Sequence, residues 1–200
     1  MNEIGYAALR VDMYGHGKSD GDFYNQTLFK WMSNVMTVID FARNELNFKE
    51  IYLCGHSQGG LTVMLTAALK HEQISGLIAL SPAIMIPDLA RRGELLRMHF
   101  DPDQIPEKLT DWKGNEVNGN YARIAQTIHV EEAIARFTGP VLLIHGDADE
   151  AAPCHYSEEA AKAYRNAKLV IIPNDDHGFD HHLDMVVDAV KEWLPSAAEH

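Results

Sequence analysis

Ile51-Tyr52-Leu53-Cys54-Gly55-His56-Ser57-Gln58-Gly59-Gly60-Leu61-Thr62-Val63-Met64-Leu65 decides the fold. An apolar run, a serine bracketed by glycines and a second apolar run describe a short buried strand that turns sharply into a helix. The pattern G-x-S-x-G in that setting is a nucleophile elbow, and its flanking glycines have a steric reason, since a β-carbon would clash where strand and helix crowd together. The turn presents the serine hydroxyl above the strand end, and the helix N-terminus aims N–H groups at any negative charge developing there. Ser57 is therefore the candidate nucleophile, against a purely structural serine in a tight turn, and the backbone N–H of Gln58 is the candidate oxyanion donor.

A serine hydroxyl is a poor nucleophile at neutral pH and needs a base of matched pKa, itself oriented by an acid. Two later loops offer both. The apolar run 140–144 ends at His145-Gly146-Asp147-Ala148-Asp149, and 168–172 leads into Asp175-Asp176-His177-Gly178-Phe179. Each loop lies beyond the carboxyl end of a strand, the side on which parallel sheets bind ligands. The order Ser…Asp…His suits the elbow, so Asp149 is the candidate acid and His177 the candidate base. Asp147 and Glu150 compete with Asp149. His181 and His182 compete with His177 but read as part of the last helix. His177 and His181, with Asp180 and Asp184, lack a further cluster of ligands, so no metal is expected. His16, between two glycines, reads as a loop-packing residue.

Outward from these motifs, strands and helices alternate as in a mostly parallel sheet flanked by helices, the α/β class. Residues 6–11 and 76–80 read as strands. Leu28, Met32, Val35, Ile39, Ala42 and Leu46 mark one face of a long helix. Helices are expected over 157–164 and 181–194. Between 81 and 138 the rhythm stops: a helix over 88–98, a turn-rich hairpin-like passage over 109–120 around Lys113-Gly114-Asn115, then one or two more helices. So long a connection is read as an insertion, a lid over 82–137 on a core formed by 1–81 and 138–200, the alternative being an ornamental or dimerising insertion.

Composition narrows the partners. The chain has 200 residues, 46% of them hydrophobic, and a net charge of −12 with no basic patch, which argues against nucleic acid. No apolar run is long enough to span a bilayer. Cys54 and Cys154 make neither a disulfide framework nor a metal spacing, and Cys54, inside an apolar strand, is expected to be buried. The few cysteines and the absence of a signal make the cytoplasm the default compartment.

The strings VDMYGHGKSDG, GHSQGG, LIHGDADEAAP and DDHGF resemble those of α/β-hydrolases. Within that superfamily TLFKW, LSPAIMIPDLAR, GELL and GNYARIAQTI resemble the feruloyl (cinnamoyl) esterases of gut and rumen bacteria, and this likeness extends into the insertion. The resemblance implies a serine carboxylic-ester hydrolase without cofactor. It would release ferulic, caffeic or p-coumaric acid from small aromatic esters or feruloylated saccharides, with a lid over the aromatic acid. It puts Ser57, Asp149 and His177 in the triad, and Asp88 and Tyr121 near the phenolic hydroxyls of the substrate. A homodimer is compatible with it. It also implies further strands ahead of residue 6, one of them central and followed by the loop that gives the second oxyanion N–H. The chain is thus expected to lack its N-terminal strands. Two rival readings stand beside this one. One is a general acyl esterase or lipase-like enzyme, against which the mixture of Trp112, Asn115, Asn120, Tyr121 and Arg123 in the insertion argues. The other is a truncated, catalytically impaired remnant.

Overall fold

A computed structural model describes residues 4–95, 97–111 and 114–197. Helix α1 (Leu28–Asn44) begins where Thr27 accepts a hydrogen bond from the Lys30 N–H, an N-cap that satisfies one orphan donor of the first turn. It buries Leu28, Met32, Val35, Ile39 and Ala42, as their spacing predicts. Leu46 does not continue that face. The helix closes at Asn44, Asn47 takes a left-handed backbone (φ 58°) that redirects the chain, and Leu46 is left exposed.

Strand β1 (Tyr52–His56) then turns through Ser57 into helix α2 (Gln58–Leu69). With β2 (Gly76–Leu80), the paired strands β3 (Glu94–Leu95) and β4 (Met98–His99), β5 (Lys108–Thr110), β6 (Glu116–Asn118) and β7 (Val141–Gly146), the chain reaches β8 (Ala167–Ile172). The main sheet is parallel, in the order β1-β2-β7-β8. All six residues of β7 are buried, which is why VLLIHG reads as a near-continuous apolar run. One face of the sheet packs on α1 and α2, where Leu61, Met64 and Leu65 meet Leu77 and Leu143. The other face is covered by α7 (Leu183–Ala197), whose Val186, Trp193 and Leu194 close over Ile78, Leu142, Ile144 and Ile172.

Residues 6–11, expected as a strand, form none. They have no ladder partner among the described residues, and a strand exists only through its pairing. Leu9 and Val11 are exposed there, while Tyr6 is held by its edge-on contact with Tyr52 and by donating to the Leu194 carbonyl. Cys54 is exposed too, against expectation, on the edge strand of the sheet.

The long connection between β2 and β7 is irregular, as expected, but its first helix is short. Helix α3 (Ile86–Arg91) replaces the helix expected over 88–98. Gly93 ends it in a left-handed conformation (φ 75°), and a β-carbon at Gly93 would lie 2.1 Å from the Phe100 carbonyl. This close approach folds the chain into the antiparallel pair β3–β4. The expected hairpin is present as β5–β6, although Trp112 and Lys113 lie outside the described residues. Helices α4 (Asn120–Gln126) and α5 (Val130–Arg136) follow, and α6 (His155–Ala163) lies between β7 and β8. Leu95, Met98, Leu109, Val117 and Tyr121 join the main core, so among the described residues the insertion shows no core of its own. Among the described residues no helix is long and apolar enough to cross a membrane.

Candidate active site

The site begins at the elbow. Ser57 has φ 56° and ψ −122°, a backbone conformation that costs a non-glycine residue about 1–3 kcal/mol and persists only where the surroundings enforce it. The enforcement comes from three backbone hydrogen bonds: Ser57 N–H donates to Leu80 (2.9 Å), and its carbonyl accepts from Ala83 (3.0 Å) and Leu61 (3.1 Å). A β-carbon at Gly55 would lie 2.2 Å from the Gly59 carbonyl, and one at Gly60 would lie 2.9 Å from Pro82. Gly59 itself faces open space, so the steric reason expected of the flanking glycines holds for Gly55 and not for Gly59. Gln58 is the first residue of α2, where backbone N–H groups have no intrahelical partner.

His177 and Asp149 arrive from the loops after β8 and β7. His177 Nε2 lies 2.8 Å from Ser57 Oγ, and His177 Nδ1 lies 2.7 Å from Asp149 Oδ2. Asp149 is buried, and its other oxygen accepts from the N–H groups of Ala151 and Ala152, both at 2.8 Å. Burial alone would push its carboxyl up. The Ala152 N–H, the hydrogen bond and charge of His177, and the Ala151 N–H outweigh burial and hold it below the usual value, as an anion. Facing acceptors on the Asp149 side, the imidazole must carry its proton on Nδ1, which leaves Nε2 free to take one from the serine.

The other acids of these two loops, among them the competitors Asp147 and Glu150, are held differently. Asp147 accepts from the Asn174 N–H at 2.6 Å, tying the two loops together. Asp175 is buried and accepts from the N–H groups of Asp176, His181 and His182, which shapes the turn that carries His177. Glu150 is exposed. His181 and His182 sit just ahead of α7 rather than within it. His16 packs edge-on against Trp31 and accepts no part in the triad.

Of the two residues expected near the substrate, Tyr121 lies against the elbow. Its ring is buried and its hydroxyl donates to Gln58 Oε1 at 2.7 Å. Gln58 Nε2 is buried too, with no hydrogen-bond partner among the described residues. Asp88 lies within α3, beside Arg91. Its carboxylate, half exposed, accepts from Arg91 at 2.6 Å, and Arg91 also donates to the carbonyls of Gln126 and Ile128.

Two histidines were not singled out as functional from the sequence. His56 Nε2 lies 2.6 Å from the His177 carbonyl, with the two rings 4.8 Å apart, so it fastens the loop that carries the imidazole. His145 is fully buried beside Asp149. Its signal in the sequence is a lone polar side chain closing an otherwise apolar strand.

Residues 1–107 match the family described as serine aminopeptidase S33, and residues 119–198 match the TAP-like protein family. Among solved structures, Est1E from Butyrivibrio proteoclasticus with ferulic acid bound is 53% identical, with a TM-score of 0.96 over all of this chain and 80% of that one. The human mitochondrial palmitoyl-protein thioesterase ABHD10 is 25% identical over 195 residues, covering 91% of this chain. Caffeoylshikimate esterase of Arabidopsis thaliana is 24% identical over 233 residues, covering 95% of this chain and 69% of its own. This chain spans 60% of the length of the ABHD10 thioesterase.

Proposed function

The chain belongs to the serine aminopeptidase S33 family of α/β-hydrolases, and from that premise we propose that it hydrolyses carboxylic esters of hydroxycinnamic acids through a Ser57 acyl-enzyme. The hydrogen-bonded line Ser57–His177–Asp149 carries the reading, at 2.8 and 2.7 Å. The substrate class rests on the 53% identity to a protein that binds ferulic acid.

Ser57 Oγ attacks the ester carbonyl while His177 Nε2 takes its proton. Asp149 holds the imidazole in the Nδ1–H tautomer and stabilises the imidazolium that forms. The negative charge moves to the carbonyl oxygen, where the Gln58 N–H at the start of α2 meets it. As the tetrahedral intermediate collapses, the proton on His177 passes to the departing alkoxide, and the alcohol leaves. Water, deprotonated by the same nitrogen, then attacks the acyl-enzyme and frees the acid and Ser57.

Residues 82–137 act as the lid on the acyl side. Tyr121 contributes an aromatic face next to the elbow, and Asp88 is assigned to the phenolic end by resemblance alone. A reducing compartment such as the cytoplasm suits the two free cysteines. The test is hydrolysis of methyl ferulate and p-nitrophenyl butyrate by the chain and by Ser57→Ala. Turnover of methyl ferulate that disappears in the variant supports the reading. Turnover of the butyrate alone would move the substrate class to simple acyl esters, and turnover that survives the variant would remove Ser57 from the reaction.

A further inference from the structure

Asp149 Oδ2 is shared by two imidazoles. His177 Nδ1 reaches it at 2.7 Å and His145 Nε2 at 3.1 Å. His145 Nε2 also lies 2.7 Å from the Ala152 carbonyl, and its Nδ1 lies 2.7 Å from Ser157 Oγ on α6. The five side chains Ser57, His177, Asp149, His145 and Ser157 therefore form one continuous line, a serine and a histidine on either side of a single carboxylate. The inner half cannot meet substrate, because His145 and Ser157 are both fully buried.

Chemistry fixes the protons on this inner half. A carboxylate and a carbonyl, both acceptors only, face His145 Nε2, so that nitrogen carries hydrogen and donates to both. Burial pushes His145 below the ordinary histidine value, against the raising influence of the Ala152 carbonyl and of Asp149, and so keeps it neutral. Nδ1 is then an acceptor, and the Ser157 hydroxyl donates to it. Beside the line stand two further ionisable groups, His56, whose ring lies 4.8 Å from that of His177, and the thiol of Cys154, just ahead of α6.

We infer that His145 is a positioning residue of the triad: its Nε2–H fixes the plane of the Asp149 carboxylate and shares the charge of the oxygen that holds His177. The inference rests on the triad reading above. A second donor on Oδ2 weakens the pull of that oxygen on the His177 proton. Removing the donor leaves the charge of that oxygen to His177 alone, whose imidazolium is then better stabilised and gives up its proton at higher pH. Ser157 acts one step further out by selecting the His145 tautomer.

The test compares wild type with His145→Leu, His145→Gln and Ser157→Ala. Glutamine carries an N–H at about the reach of imidazole Nε2, whereas leucine removes the donor and keeps apolar bulk. Ester turnover is measured across pH, normalised to the folded fraction, and the titration of His177 is followed by NMR. Neighbours that orient a functional ligand typically contribute about 10–100-fold, so His145→Leu should lower kcat by that factor with KM little changed. The acid limb of kcat/KM and the His177 titration should both move to higher pH. Glutamine should restore both, and Ser157→Ala should show a smaller change in the same direction. If folded His145→Leu keeps wild-type kcat and an unmoved His177 titration, His145 is a packing residue and the inference falls. Should wild type hydrolyse no ester, the failure belongs to the proposed function, and the NMR titration still decides the role of His145.

Discussion

Gly146 and Asp175 touch: a β-carbon on Gly146 would lie 2.3 Å from the Asp175 carbonyl oxygen and 2.8 Å from that of Asp176. The strand end that leads to Asp149 thus presses directly on the turn that carries His177. Gly146→Ala should push the two loops apart, at a cost of about 1–3 kcal/mol for forced overpacking. Because the acid and base meet at 2.7 Å, turnover should fall by more than the loss of folded protein accounts for. Urea unfolding and turnover per folded molecule, measured side by side, check this.

Ser57→Gly should raise stability while abolishing hydrolysis. Glycine adopts φ 56°, ψ −122° without the β-carbon clash that serine suffers. Relief of that strain, less the extra backbone entropy of glycine, leaves a gain of about 1 kcal/mol, or about 2–4 °C in Tm for a domain of this size. Ser57→Ala keeps the β-carbon and should lose activity without the gain. Scanning calorimetry of the two variants distinguishes them.

Stability should fall on acidification through two groups. Burial holds folded His145 below the ordinary value of 6.5, so below that pH the unfolded chain binds the proton more readily than the folded one. The contribution of His145 is therefore complete above 6.5 and lost as pH falls toward its folded value. Asp149, held below 3.8, contributes above that value and loses its share further down. Urea midpoints across pH should show both declines, and His145→Gln should remove the upper one.

Tyr121→Phe should destabilise the elbow. The variant removes the hydroxyl that donates to Gln58 Oε1 and leaves a carboxamide whose buried Nε2 is already unpaired among the described residues. An orphaned buried acceptor costs about 1–3 kcal/mol, which the urea midpoint would read. Since the oxyanion N–H proposed above also belongs to Gln58, turnover of methyl ferulate should fall as well, whereas a variant of exposed Asp88, such as Asp88→Asn, should leave the stability of the elbow unchanged.

The sequence by itself determined the parts of this protein whose physics is local. Gly55 and the apolar residues before it specify a strand crowded against a helix, and the 4-3-4-3 spacing from Leu28 to Ala42 specifies a buried helical face. The loops after two apolar strands hold the acid and base candidates because parallel strands end on one side. Tertiary structure decided what depends on partners far along the chain. Whether residues 6–11 form a strand depends on a ladder that their own apolar side chains cannot supply, and α3 stops at Arg91 because Gly93 must pass the Phe100 carbonyl. His145 reads as the polar end of an apolar strand, and only the folded chain sets its Nε2 and the Nδ1 of His177 on one oxygen of Asp149, since a hydrogen bond is fixed by positions within a few tenths of an ångström and residue spacing carries no such resolution.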